Sequence, residues 1–305
     1  MDEYILETNG LTKKYRNQTA LSGLDIHIKK GAVYGFIGRN GAGKTTLIRL
    51  VCGLQEPTGG TYTLYGVKNT DKNIGKSRRK LGAVVETPSI YYDMTAKENI
   101  RQQYLTLGLR PDESIDALLE LVGLSNTGSK KAKDFSLGMR QRLGIATALS
   151  GSPDFLILDE PTNGLDPEGI IEIRELILKL NKERGITVLI SSHILDELSR
   201  LATDFGFIDG GKTVKEMSAE ELFKNCRKRT LIEVSDINAL KKVLGGFGVN
   251  YEIKNDFCAD IYDDIEVTKL VCALLKENCI VKSLKEHDES LESFYMKLLG
   301  GNTNA

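Results

Sequence analysis

An α/β fold with a largely parallel sheet, followed by a smaller α+β domain, is predicted by three observations on the 305-residue chain. Short apolar runs alternate with helical patterns through the first two thirds. A glycine-rich turn stands between one such run and one such helix, at Gly38–Thr45. After about Lys215 the texture changes to short strands and helices in the order βαββαβα. The expected domains are residues 1–215 and 216–305.

The elements follow in order. "LDIHI" (Leu24–Ile28) alternates with period two and reads as a strand, and "VYGFIG" (Val33–Gly38) is a buried strand ending at glycine. A helix is expected from Lys44 to Cys52, with Gly53 as its stop. "QEPTGG" is a turn and "TYTLYG" (Thr61–Gly66) a strand. From Thr95 the pattern is helical, opening with Thr95 and Glu98 at capping-box spacing and running on through "SIDALLELVGL", so a helical subdomain is expected here. "FLILDE" is a buried strand. "DPEGIIEIRELILKLNKERG" is a helix with Asp166 at the N-cap, Pro167 at the first turn and Gly185 at the end. "ITVLISS" (Ile186–Ser192) is a further buried strand, and "FGFIDGG" is expected to close the sheet.

In the C-terminal part, "TLIEVSD", "VNYEIKN", "FCADIYD" and "IVKSLKEHD" read as strands. "INALKKVLG", "EVTKLVCALLKEN" and "SLESFYMKLL" read as helices. That order predicts a ferredoxin-like accessory domain. It holds no catalytic cluster, and His287 reads as a surface residue.

Composition narrows the functional classes. Lys+Arg number 41 against 42 Asp+Glu, so the chain lacks the overall basic field that dominates nucleic-acid binding, and no nucleic-acid partner is expected. The basic runs Lys76–Lys80, Lys130–Lys133 and Arg227–Arg229 read as solvated faces. Five cysteines with no C-x-x-C pair indicate neither a disulfide framework nor a zinc module. The start "MDEYILETNG" does not have the form of a signal peptide, and nowhere do 18 apolar residues run together, so entry into a membrane by this chain itself is not expected.

The strongest chemistry is "GRNGAGKT": Gly38, Arg39, Asn40, Gly41, Ala42, Gly43, Lys44 and Thr45 fill the G-x-x-x-x-G-K-[ST] template directly after a strand and at a helix start. Glycines let the backbone wrap phosphates, the helix N-terminus supplies partial positive charge, and Lys44 bridges the outer phosphates. Thr45 is placed to bind Mg²⁺ and Thr46 to touch an inner phosphate. A P-loop needs a second carboxylate for its metal. The strand "FLILDE" ends in two: Asp159 to hold Mg²⁺ and Glu160 to polarise the attacking water.

With these residues assembled the chain resembles the ATP-binding-cassette (ABC) ATPases, the nucleotide-binding subunits of transporters. The likeness covers residues 4 to 215, in the order Tyr15, P-loop, the loop at Glu86, the "FSLGM" signature, Asp159–Glu160, "GLD" (Gly164–Asp166) and His193. It implies that Tyr15 stacks on adenine, that Asp166 belongs to the D-loop and that His193 is the switch histidine reaching the γ-phosphate. By position alone His193, ending a buried strand, would read as a core histidine.

"FSLGM" (Phe135–Met139) retains Ser136 and Gly138 of the family signature, with Leu137 and Met139 replacing a glycine and a glutamine. Ser136 is expected to cap a helix whose free amides form an anion site. In the family that site covers the γ-phosphate held by a second protomer, so the resemblance implies a homodimer, or a pair with a related ATPase, sandwiching two ATP molecules. Glu86 stands where the family usually has glutamine. A carboxylate there, near Asp159 and Glu160, is expected to lie on the metal, to be partly protonated or to point toward a partner. The resemblance makes it the link from nucleotide to permease.

"VVETPSIYYDMTAKENI" is similar to the branch containing bacitracin-resistance and lantibiotic-immunity transporters, and "SLESFYMKLL" to the tail of ABC-2-type export ATPases. The resemblance therefore implies an ATPase with ATP and Mg²⁺ as ligands. It would act at the cytoplasmic face of the membrane, driving export through a separate transmembrane permease. A soluble ABC ATPase without a transport role is the alternative.

Overall fold

The computed structural model describes residues 4–110, 114–226, 229–287 and 291–300. The chain divides into two compact units, Met1–Ala219 and Glu220–Ala305. In the first, β1 (Tyr4–Tyr15), β2 (Gln18–Leu24) and β3 (His27–Lys29) lead into β4 (Val33–Gly38) and α1 (Lys44–Val51). There follow β5 (Gly59–Leu64), β6 (Val67–Lys68), α2 (Ile74–Arg78) and β7 (Leu81–Val84). Three helices come next, α3 (Ala96–Thr106), α4 (Ser114–Leu121) and α5 (Leu137–Leu149). The unit continues with β8 (Phe155–Asp159), α6 (Pro167–Arg184), β9 (Thr187–Ser192), α7 (Leu195–Ser199), β10 (Asp204–Asp209) and β11 (Lys212–Ser218).

The central sheet runs β11-β10-β4-β9-β8-β7, parallel except for its β11 edge. A parallel strand covered on both faces is apolar throughout rather than alternating. Every residue of β4, β8 and β9 is accordingly buried, which is why "VYGFIG", "FLILDE" and "ITVLISS" are legible. A second, antiparallel sheet orders β2-β1-β5-β6, with β3 also on β1. Between the two sheets' residues lies one core that includes Leu6, Ile28, Phe36, Leu47, Phe155 and Leu189.

Helix α6 buries Ile173, Leu176, Ile177 and Leu180, a stripe at helical spacing. It starts and stops as its sequence dictates: Asp166 accepts from Gly169 N, Pro167 fills the first turn and Gly185 ends it at φ 66°. Helices α3, α4 and α5 pack on one another, forming the expected helical subdomain. Its entry is a complete capping box, with Thr95 Oγ1 accepting from Glu98 N and Glu98 Oε2 from Thr95 N.

The structure corrects four local expectations. "LDIHI" is not one strand. Leu24 ends β2 and His27 begins β3, because Thr8 takes up the intervening backbone: its hydroxyl donates to Leu24 O and accepts from Ile26 N. The alternation survives the break, with Leu24, Ile26 and Ile28 all buried. "TYTLYG" starts two residues early, at Gly59, and ends at Leu64, since Tyr65 and Gly66 turn with positive φ into β6. "FGFIDGG" does not close the sheet, because Gly210 and Gly211 make a hairpin to β11. That strand carries the first unit's sheet past Lys215 to Ser218.

After α8 (Ala219–Asn225) come β12 (Arg229–Val234), α9 (Ile237–Phe247), β13 (Tyr251–Asn255), β14 (Cys258–Ile261), α10 (Val267–Lys276), β15 (Val281–His287) and α11 (Leu291–Leu298). The sheet order β13-β14-β12-β15, antiparallel throughout, fits the ferredoxin-like pattern the sequence predicts. Its own core joins Ile232, Val234, Leu240, Leu244, Ile261 and Leu270. The side chain of His287 and residues 227–228 of the last basic run lie outside the described residues. None of the five cysteines is joined in a disulfide among the described residues.

The α3 cap makes a test. Thr95→Ala removes the acceptor and is expected to cost about 1 kcal/mol in denaturant unfolding. Hydrogen bonds from the Thr95 backbone and hydroxyl hold the Glu98 carboxyl below its ordinary pKa. Its contribution is thus present above the usual carboxylate range and lost as pH falls through the lowered value. The wild-type excess stability over Glu98→Gln should disappear on acidification.

Candidate active site

Strand β4 ends at Gly38 beside β10, and the chain turns through residues 39–43 into α1. Gly43 sits at φ 112°, where a Cβ would stand 2.6 Å from Ala20 O, so only glycine lets the loop pass this close to β2. Lys44, first residue of α1 and 6% exposed, donates to Gly38 O at 2.6 Å and lies 3.1 Å from Glu160 Oε1. Its charge is therefore folded back over its own loop.

The ends of β8 and β9 supply the acids. Asp159 pairs in register with Ser191, whose hydroxyl donates to Asp159 Oδ1 at 2.6 Å and accepts from Glu160 N at 2.9 Å. Glu160 leaves the strand at φ 50°, an uncommon conformation for a side-chain-bearing residue. Its Oε2 lies 2.7 Å from His193 Nδ1. One carboxylate thus bridges Lys44 and His193. The core reading of His193 is corrected: its side chain is 36% exposed and its ring is engaged by Glu160.

These groups meet in a cleft of about 460 Å³ lined by Tyr15, Asn40, Gly41, the stretch from Gly43 through Thr46, Glu160 and His193, with Gln18, Arg49 and Asn163 added. Tyr15 ends β1, its hydroxyl donating to Gln55 and Lys13 Nζ lying 5.3 Å from the ring centroid. Asp159 is 1% exposed beneath the cleft, and its Oδ2 is buried without a hydrogen-bond partner among the described residues. A buried carboxylate oxygen left bare is costly. A divalent cation or its water would satisfy it, so this residue and Thr45 fit a Mg²⁺ site. The surroundings are poorly solvated: burial, with Asp159 adding to it and Arg78 opposing, pushes the nearby Cys52 thiol up to about 12.

Glu86 follows β7 by two residues. It does not line the cleft. It lies at φ 61° in a three-residue turn closed by Thr87 N to Val85 O, and its carboxylate, 55% exposed, pairs with Arg49 at 2.6 Å. Its charge is met by Arg49, an answer the sequence reading did not contain.

Ser136 caps α5, accepting from Met139 N at 3.2 Å. With Leu137, Gly138, Gly164, Asp166 and Arg142 it lines a second cleft of about 500 Å³ that shares no residue with the first. Gly138 is not required by packing, since a Cβ there would meet only Leu165 Cδ2 at 3.9 Å. The sequence reading missed Ser191, Arg49, Gln18 and Asn163. Gln18 was findable as the residue facing Tyr15 across the hairpin.

A phosphate loop, a buried aspartate and a bridged glutamate at the carboxyl ends of parallel strands define a P-loop nucleoside triphosphatase. Residues 21–163 match the ABC transporter family model. The chain is 43% identical over 302 residues to the bacitracin transport ATP-binding protein BcrA of Bacillus licheniformis, spanning 98% of each. It belongs to the ABC transporter family, as an ATP-binding subunit and ATPase. The lantibiotic transport ATP-binding protein SrtF of Streptococcus pyogenes is 43% identical over 227 residues, 72% of this chain and 96% of that one. A dimeric ATP-binding cassette solved in a post-hydrolysis state with ADP and Pi superimposes with a TM-score of 0.64 at 26% identity, over 70% of this chain and 98% of that one. Among the described residues no helix is long and apolar enough to cross a membrane.

Two glycines give opposite expectations. Gly43→Ala combines a left-handed backbone with a clash on Ala20 O and should lower unfolding free energy by roughly 2–4 kcal/mol. Gly138→Ala places a methyl in open space on a helix and should leave stability equal or slightly raised, by up to about 1 kcal/mol. Parallel denaturant titrations check both.

Proposed function

We propose that this chain drives export of a peptide antibiotic or related peptide through a separate transmembrane permease, as a homodimer that closes over two ATP molecules at the cytoplasmic face of the membrane. The observation that carries the dimer is the division of site residues into two clefts with no residue in common. One holds the P-loop, Glu160 and His193. The other holds Ser136, Gly138 and Asp166. The solved dimeric cassette supports pairing such halves between chains. The cargo class is supported by the names of the relatives, which transport bacitracin and a lantibiotic.

In this reading Tyr15 stacks on the base, and Gly38 to Gly43 wrap the phosphates with backbone amides. Lys44 leaves Gly38 O and Glu160 for the outer phosphates, and Thr46 meets an inner one. Thr45 and Asp159 would hold Mg²⁺, which when bound neutralises phosphate charge. Glu160, freed from Lys44, orients and polarises the attacking water, and His193 remains on Glu160 Oε2 through Nδ1–H; in the protonated ring Nε2–H is left to donate to the γ-phosphate. Ser136 and Gly138 bring helix-terminal amides to the γ-phosphate of the other chain. ATP touches both chains only in the closed dimer, so binding shifts the population toward closure. The mechanical link to the permease runs through the loop at Glu86.

Glu160→Gln should bind ATP with near wild-type affinity, lose about 10²-fold or more of turnover and accumulate as an ATP-bound dimer by size exclusion. Near-normal turnover would remove Glu160 from its role. Gly138→Ala should leave ATP binding by the monomer intact while depressing hydrolysis; loss of monomer binding would place the signature in its own chain's site instead.

A further inference from the structure

Arg49 touches two regions at once. It lies in the last turn of α1, the helix rooted at the phosphate loop, and it lines the first cleft. Its Nη2 also lies 2.6 Å from Glu86 Oε1. Glu86 is delivered by β7, whose Val84 pairs with Leu158 of β8, so it stands two residues past that pair on one strand as Glu160 does on the next. A loose carboxylate at this point adds to the charge of Asp159, Glu160 and any triphosphate.

The pair does little for the fold. Its partners are 37% and 55% exposed, and exposed ion pairs contribute little net stability. A contact so easily broken is suited to exchange. The phosphates of ATP in the cleft are the stronger anion, several charges against one, and Arg49 is already part of the cleft wall.

We propose that Arg49 is a positioning residue shared between two anions, the Glu86 carboxylate and the nucleotide phosphates. ATP draws Arg49 toward the cleft, and Glu86, with the tight turn that carries it, is released. Nucleotide occupancy is thereby converted into a change of charge and tether at residues 85–87, the start of the segment that leads into the helical subdomain. The inference rests on the first cleft being the ATP site.

The test uses the full chain, ATP binding in EDTA at low ionic strength, and a charge cycle. Arg49→Met leaves Glu86 uncompensated and should weaken ATP binding by roughly three- to tenfold, a loss that shrinks at high salt. Glu86→Gln frees Arg49 and should tighten it by a similar factor. Arg49→Met/Glu86→Gln should recover most of the loss. In the wild type, hydrogen exchange at amides 85–90 should quicken when ATP is added, and in the double variant it should not respond. A double variant as weak as Arg49→Met, or wild-type exchange unmoved by saturating ATP, overturns the proposal. Failure of the wild type to bind ATP at all would instead strike at the assignment of the cleft.

Discussion

Everything in the first unit depends on the register of three parallel strands. Val33–Ile37 of β4 pairs step by step with Val188–Ser192 of β9, and Phe155–Asp159 of β8 with Thr187–Ser191. Each strand is buried along its whole length, so a slip of one residue would draw a flanking polar residue such as Asp154 or Glu160 into the covered span and is disfavoured. The strands therefore finish flush. The phosphate loop, Asp159–Glu160 and His193 leave the sheet at one rim with no loop long enough to misplace them.

At that rim, charge is arranged in a chain rather than a pool. Asp159 is oriented by Ser191, Ser191 by the Glu160 amide, and the Glu160 carboxylate by Lys44 and His193. Buried polar groups in contact stiffen one another when each is satisfied, and the cost concentrates on any that is not. Here that one is Asp159 Oδ2. The strain of φ 50° at Glu160 is held by the backbone bond from its amide to Ser191 O, so the carboxylate's direction is set by β9 as much as by its own strand.

The legible parts of the sequence were those in which a local rule and the tertiary environment agree. Continuous apolar runs gave the buried strands, and Asp166-Pro167 with Gly185 gave both ends of α6. The βαββαβα order that follows α8 could be read from period and punctuation, while α8 itself was not. The P-loop and Asp159–Glu160 were readable because their chemistry is contiguous. Ser191 was not, since its partners are 31 and 32 residues away and nothing local separates a bridging serine from a buried one. Arg49 was hidden similarly: it contacts Glu86 across 37 residues, and as the basic residue of a helix's last turn it has an ordinary explanation. The break in "LDIHI" escaped because the side-chain period continued while Thr8 diverted the backbone.

The two clefts have no residue in common, and on the proposed reading they carry different halves of one reaction. On the proposed pairing, a two-fold axis is the simplest way for such halves to meet, since each chain then gives and receives once and nothing is left to propagate a filament. It follows that turnover is second order in chain at low concentration, with specific activity falling on dilution. It follows too that genetic damage is apportioned. A chain faulty in its phosphate loop and another faulty at Gly138 can form a mixed pair in which both lesions fall on the same composite site and the other is intact, so two individually inactive alleles can complement in one cell.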